Sequence, residues 1–278
     1  MVLAVAYGAT IGGIGTIIGS TPNVMTQKFL TEKGISFGFL DWSMRGFPFM
    51  IIAILICWIV LMLFFSSEKK KIKIDKHTSP FTKNQKMVAS ILGLTILLWI
   101  TESIHGIHNS VVALFPVFLL YAFNLLDSKD FNKINWGSLI LIGGGIALGM
   151  AIDSSGLDDL LSSGLSNILL NKPYFVVLVI LAFTGIIMTS FLSNTAASAV
   201  LIPIITALSA MLGNNMSNMV TIAAIGVSLD FIFPMGTPPS ALAHGTGYIT
   251  TKDMIKAGII LSIIGALAVA GLAILAWP

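Results

Sequence analysis

Apolar residues run along this chain in stretches of membrane-crossing length, interrupted by polar residues at only a few places. Phe47 to Phe65 is the clearest stretch: it carries no charge and is long enough to cross a hydrocarbon core as a helix. Met87–Thr101, Ser110–Leu126 and Gly137–Ile152 read as further spans, and Ala257–Trp277 as the last one. Ile35–Arg45 reads as a loop with Trp42 at the membrane interface. Asp153–Lys172 has a different pattern. Leu157, Leu160, Leu161 and Leu165 fall on one side of a helix, which predicts an amphipathic segment at the outer surface.

The informative interruptions are three. Thr189–Ile204, TSFLSNTAASAVLIPI, places Ser193, Asn194 and Thr195 in the middle of an apolar tract from Tyr174 to Leu212. A single helix over that tract would reach about 58 Å at roughly 1.5 Å per residue, nearly twice a hydrocarbon core. Two spans with a polar turn and a re-entrant hairpin both fit the length; the hairpin is the expected form. Val227–Ala243, VSLDFIFPMGTPPSALA, is an apolar segment broken by Pro234, Gly236, Pro238 and Pro239. Val2–Ile18 is apolar and Gly-rich and breaks at Gly19-Ser20-Thr21-Pro22. Aligning Gly19 with Gly236 pairs Ser20 with Thr237, Pro22 with Pro239 and Asn23 with Ser240. A broken membrane helix occurring twice is the mark of a transporter built from repeats. Asn23 is expected to cap a short helix reaching Lys33.

Composition agrees with this reading. Of 278 residues 56% are hydrophobic and 10% charged, the balance of a polytopic helical membrane protein. The net charge of +3 comes from one place. Lys69, Lys70, Lys71, Lys73, Lys76, Lys83 and Lys86 face only Glu68 and Asp75, and the positive-inside rule puts this linker in the cytoplasm. Such a loop is no nucleic-acid surface, because aromatic residues do not accompany its lysines. Cys57 is the single cysteine, which excludes disulfides and zinc fingers. No basic segment precedes the first apolar run, so no signal peptide is expected.

The polar residues suggest their own chemistry. Half-helix N-termini carry partial positive charge and suit a carboxylate, whereas unwound carbonyls suit a small hard cation such as sodium. Ser193, Asn194 and Thr195 add oxygens without a buried charge, Thr189 lies one turn away, and Gly236 admits close backbone approach beside the Thr237 hydroxyl. The plainer reading is that these hydroxyls bond only to helix backbone. Asp230 is a carboxylate inside a span; substituting a proton for sodium, pairing with Lys252 or Lys256, and facing water are all open. Gly143, Gly144, Gly145 and Gly149 read as close helix packing, and Glu102, His105 and His108 as a solvated external turn. No nucleophile–base set has a defensible spacing, so no enzyme is expected.

LSNTAAS followed by GTPPS, with GSTPN upstream, resembles the divalent anion–sodium symporter family of di- and tricarboxylate carriers. The resemblance covers nearly the whole chain. It implies an all-α polytopic membrane protein: an incomplete inverted-repeat transporter with one re-entrant hairpin and two broken helices, moving in an elevator-like cycle. It implies that Asn194, Thr195, Ser20 and Thr237 meet substrate carboxylates, and that Thr189, Ser193, Asn194 and Gly236 hold one sodium ion, with Gly19 at the other sodium site. Sodium would be the coupling ion, with no other cofactor, and the substrate a C4 dicarboxylate such as succinate, malate or fumarate. Sodium-independent carboxylate exchange and a non-transporting subunit of a split carrier are the alternatives.

This sequence departs from the family pattern. Only one Ser-Asn-Thr is present, so the chain is expected to be the C-terminal portion of a carrier, partnered by a missing N-terminal half if the gene is split. Thr21 and Ser240 stand where the family has proline and asparagine. The expected divisions are 1–46, broken helix and loop of a first transport repeat; 47–66, a span; 67–86, the basic cytoplasmic linker; 87–173, second-half scaffold helices with the outer amphipathic segment; and 174–278, the second transport region. The expected setting is the cell membrane, with the C-terminus outside. A homodimer follows from the resemblance only, and the expected partners are dicarboxylate, sodium and lipid, not nucleic acid.

Overall fold

The computed structural model describes residues 1–65, 80–134, 136–234 and 236–277. The lysines at 69, 70, 71, 73 and 76 and most of the 67–86 linker lie outside the described residues. The described chain is helical and divides into two compact units, one of Met1–Phe37, Asp41–Ser66 and Leu139–Pro278, the other of Gly38–Leu40 and Ser67–Ser138.

The larger unit begins with α1 (Val2–Ile14) and α2 (Thr21–Glu32), followed by α3 (Phe39–Phe64). The smaller unit holds α4 (Lys83–Ile100), α5 (Glu102–His105), α6 (Asn109–Val112), α7 (Leu114–Ala122) and α8 (Ser128–Asn132). The chain continues through α9 (Trp136–Ser155), α10 (Leu157–Leu169), α11 (Tyr174–Phe191) and α12 (Asn194–Leu212). It ends with α13 (Met216–Ser228), α14 (Pro238–Gly245) and α15 (Thr251–Ala276). Four of these, α3, α11, α12 and α15, are long and apolar enough to cross a membrane. Ile51, Leu55, Trp58, Met62 and Leu63 of α3 are exposed, as lipid-facing residues are.

In the smaller unit α4 starts earlier than the apolar pattern suggests, at a capping box in which Thr82 and Gln85 satisfy each other's backbone amides. Trp99 stacks on Phe39, which the smaller unit includes, and donates to the Asn109 carbonyl. The span expected over 110–126 is instead two short helices, α6 and α7, ending at Ala122. Glu102, His105 and His108 cap local backbone: Glu102 accepts from the Asn109 amide, His105 contacts the Leu98 carbonyl, and His108 accepts from the Ser110 amide.

Three expectations for the larger unit are corrected. Residues 39–45 are helix, and Trp42 is fully buried because its indole nitrogen donates to the Ile14 carbonyl at 2.8 Å, closing an orphan acceptor at the end of α1. Asn23 is not a cap: Ser20 holds that position, and Asn23 lies in the first turn of α2. Residues 153–155 belong to α9 rather than to the amphipathic segment. Gly156, at φ 72°, then turns the chain into α10, bent 74° from α9. Along α10 Leu157, Leu160, Leu161 and Leu165 face outward, while Asp158, Ser162, Ser166 and Leu169 form the buried side toward α12. That arrangement suits lipid outside and protein inside.

Glycines set the tightest contacts. α11 and α13 meet backbone to backbone at Gly185 and Gly226: a Cβ at Gly226 would strike the Ala182 carbonyl and Cα, and one at Gly185 the Ala223 carbonyl. The packing role expected of the glycines in α9 holds for Gly145, against Met25 and Thr195, and for Gly149, against Phe29 and the Ala199 carbonyl. The latter carbonyl is the one that Pro203 leaves without its helical donor.

Gly226→Ala is expected to lose about 1–3 kcal/mol through overpacking, whereas Gly164→Ala, on open surface of α10, should gain about 0.5–1 kcal/mol of helix propensity. Thermal unfolding in detergent checks both, and a Gly226→Ala protein as stable as the parent would refute the contact. Asn23→Ala removes two bonds worth about 1–3 kcal/mol together, and Asn23→Asp should cost more, because a carboxylate would then face two carbonyl oxygens. The same unfolding measurement ranks the pair.

Candidate functional site

The two broken helices share a construction. Ser20 and Thr237 are both extended N-caps, at φ −152° and −125°; Pro22 and Pro239 take the second helical position, and Asn23 and Ser240 the third. The pairing read from the sequence is therefore a structural equivalence. Proline is tolerated in the first turn because its missing amide would have had no helical acceptor. The third such N-terminus belongs to α12, where the Ser193 hydroxyl accepts from the Ala196 amide. Each N-terminus is the positive end of a helix dipole and favours an anion, although Pro238 and Pro239 remove the first two amides of α14 and Pro22 the second of α2.

The first break is closed from within. The Asn23 side-chain nitrogen donates to the carbonyls of Gly13 and Thr16, both at 2.8 Å. Gly19 lies flat on Gly13, where any side chain would collide with the Gly13 carbonyl. Asn23 Oδ1 is buried without a donor. The second break, residues 229–237, is held from two sides. Tyr7 of α1 donates to the carbonyls of Phe231 and Met254, and Ser262 of α15 donates to the carbonyl of Leu229. A Cβ at Gly258 would collide with the Phe231 carbonyl.

The predicted residues fall into two clusters. At the hairpin turn, Thr189 is buried and donates to Asn194 Oδ1 at 2.5 Å; Asn194 is half-buried and Ser193 exposed. Thr195 is buried and shares a 3.0 Å hydrogen bond with Thr21, next to Ser20, so the N-termini of α2 and α12 touch. In the second cluster Thr237 lies 3.3 Å from Thr10 and donates to Ser240, and Gly236 packs on the Asp230 carboxylate. Among the described residues no hydrogen bond runs directly from 193–195 to Gly236 or Thr237. The connection is α1: Tyr7 and Thr10 serve the second break and Gly13 the first, three positions spaced one turn apart along one helix face.

Tyr7 and Thr10 are the site's neighbours that sequence reasoning passed over, and Thr21, noted only as a departure from the family pattern, is the residue that meets Thr195. The signal was there: Tyr7 and Thr10 are polar positions at helical spacing inside an otherwise apolar run, though the same spacing is common in helix packing. Asp230 is fully buried, which removes the water-facing reading. Pairing with lysine fails too, since no ion pair involves it among the described residues and Lys256 sits over the Phe64 ring. The whole arrangement offers anion-favouring helix ends beside acceptor-rich breaks, the chemistry of joint anion and cation binding.

Similarity to known proteins points the same way. The chain is 37% identical over 274 residues to an uncharacterised transporter of Methanocaldococcus jannaschii, covering 96% of this chain and 61% of that one. It is 30% identical over 285 residues to the sodium-dependent dicarboxylate transporter SdcS of Staphylococcus saprophyticus, covering 93% of this chain and 55% of that one. An uncharacterised transporter of Haemophilus influenzae is 27% identical over 294 residues, with 100% and 62% covered. The chain thus spans roughly three-fifths of the length of these relatives. The family model described as the sodium:sulfate symporter transmembrane region matches residues 1–278, and the chain, a multi-pass membrane protein, belongs to that divalent anion–sodium symporter family.

Proposed function

We propose that this chain carries one half of the binding site, and the second transport region, of a sodium-coupled carrier for a C4 dicarboxylate such as succinate, malate or fumarate. The observation that carries the reading is the contact of two half-helix N-termini at Thr21 and Thr195, with the third, at Thr237, joined to them through one face of α1. A dianion needs donors at both ends, and helix N-termini supply them with no buried counter-charge. Ser20, Asn194, Thr195 and Thr237 are the proposed substrate contacts. Thr189, Ser193, Asn194 and Gly236 are the proposed ligands of one sodium ion, with Gly19 at a second. The sodium-dependent dicarboxylate transporter among the relatives supports the substrate class.

In this reading the tip of the α11–α12 hairpin lies near the midplane, the 67–86 linker is cytoplasmic and the C-terminus external. The protein sits in the cell membrane as a homodimer, and an N-terminal half with the other hairpin completes each site. Each net positive charge carried inward with substrate gains about 2.3 kcal/mol per 100 mV.

Proteoliposomes containing this chain with a co-produced N-terminal half should accumulate labelled succinate when sodium is outside and not when choline replaces it. Excess sulfate should compete weakly. Thr195→Ala and Thr237→Ala should each reduce uptake about tenfold, the equivalent of one hydrogen bond at about 1.4 kcal/mol. Uptake that ignores sodium removes the symport, and counterflow indifferent to both sodium and voltage makes the protein an exchanger.

A further inference from the structure

One group stands apart from the dipole chemistry of this site. Asp230 is fully buried, and neither carboxylate oxygen has a hydrogen-bond partner. An ionised carboxylate in that condition is costly, because burial removes its water and nothing replaces it. The neighbouring polar groups are committed elsewhere. On α1, Tyr7 donates to the Phe231 and Met254 carbonyls. On α15, Ser262 donates to the Leu229 carbonyl.

The location narrows the role. The carboxylate occupies the space where a side chain at residue 236 would stand, so glycine at 236 is what admits it to the second break. The break therefore holds a carboxyl group whose two oxygens lack a protein partner, next to backbone that has left the helix. A hard cation is the natural complement of such a group. Its charge is limited as well. Among the described residues no three His, Cys, Asp or Glu side chains gather to hold a metal ion, and a lone carboxylate balances a single positive charge. Divalent ions in protein sites usually recruit several carboxylates.

We propose that Asp230 is a direct ligand of a sodium ion at the second break, giving that site an anionic ligand in addition to neutral oxygens. The proposal rests on the carrier reading for the presence of sodium there, and adds the residue that fixes the charge of the site. The bound pair is neutral, so a loaded site crosses the bilayer without a charge of its own.

The test needs no transport. The melting temperature of the purified full chain in detergent is measured against sodium chloride, with choline chloride holding ionic strength constant, for the parent and for Asp230→Asn. A ligand that binds only the folded state raises stability with its concentration. The parent should gain stability saturably with sodium. Asp230→Asn should be at least as stable in choline, since a buried charge is gone, and should need about tenfold more sodium or fail to respond. An Asp230→Asn protein that follows the parent's sodium curve overturns the proposal, and so does a parent that ignores sodium. If the variant does not fold, carbodiimide labelling of Asp230 in the parent, read by peptide mass, replaces it. Protection by sodium but not choline supports the site, and equal labelling in both sinks it. The two readings fail separately: sodium binding at Asp230 without sodium-driven uptake removes only the carrier, and sodium-driven uptake with an unaltered Asp230→Asn sodium curve removes only this ligand.

Discussion

A backbone group that leaves a helix inside an apolar body must find its partner in the protein. That requirement organises the larger unit. The first break frees the carbonyls of Gly13, Ile14 and Thr16, and Asn23 and Trp42 meet them; the second frees those of Leu229 and Phe231, and Ser262 and Tyr7 meet them. Each donor comes from a different turn or a different helix. The breaks are thus the points at which α1, α2, α3, α13 and α15 are tied together.

Close approach is the second half of the same solution. A side chain from one helix reaches a backbone carbonyl on another only when the backbones come near, and glycine or alanine at the contact permits it. Gly46 stands beside the Ile14 carbonyl that Trp42 caps, Gly258 beside the Phe231 carbonyl that Tyr7 caps, and Gly19 on Gly13. Packing and hydrogen bonding are therefore not separable here: the small residues are where the donors arrive.

Among the described residues, the buried side-chain oxygens left without a partner at the two breaks are informative. At the first break it is Asn23 Oδ1, whose amide nitrogen is fully used, and at the second the Asp230 carboxylate. One belongs to an amide and the other to an ionisable group, so two breaks of matching backbone form differ chemically. That difference separates what helix dipoles can do at one break from what an ionisable side chain can do at the other.

Much of the architecture was legible in the chain itself. Apolar runs of membrane length located α3, α11, α12 and α15, and the Gly-hydroxyl-x-Pro-polar repeat paired Ser20 with Thr237, which the structure shows to be equivalent N-caps. These are local properties: span length follows from rise per residue, and the helix start from proline and the residue before it. What the tertiary structure alone decided is which partner each polar group takes. Asn23 looks like a cap and is a tie to Gly13 and Thr16; Trp42 looks interfacial and is buried on the Ile14 carbonyl; Asp230 could as well have met a lysine or water. Those choices depend on the approach of helices distant in sequence, and the backbone carbonyls that receive the bonds carry no residue-specific signature for a sequence to display.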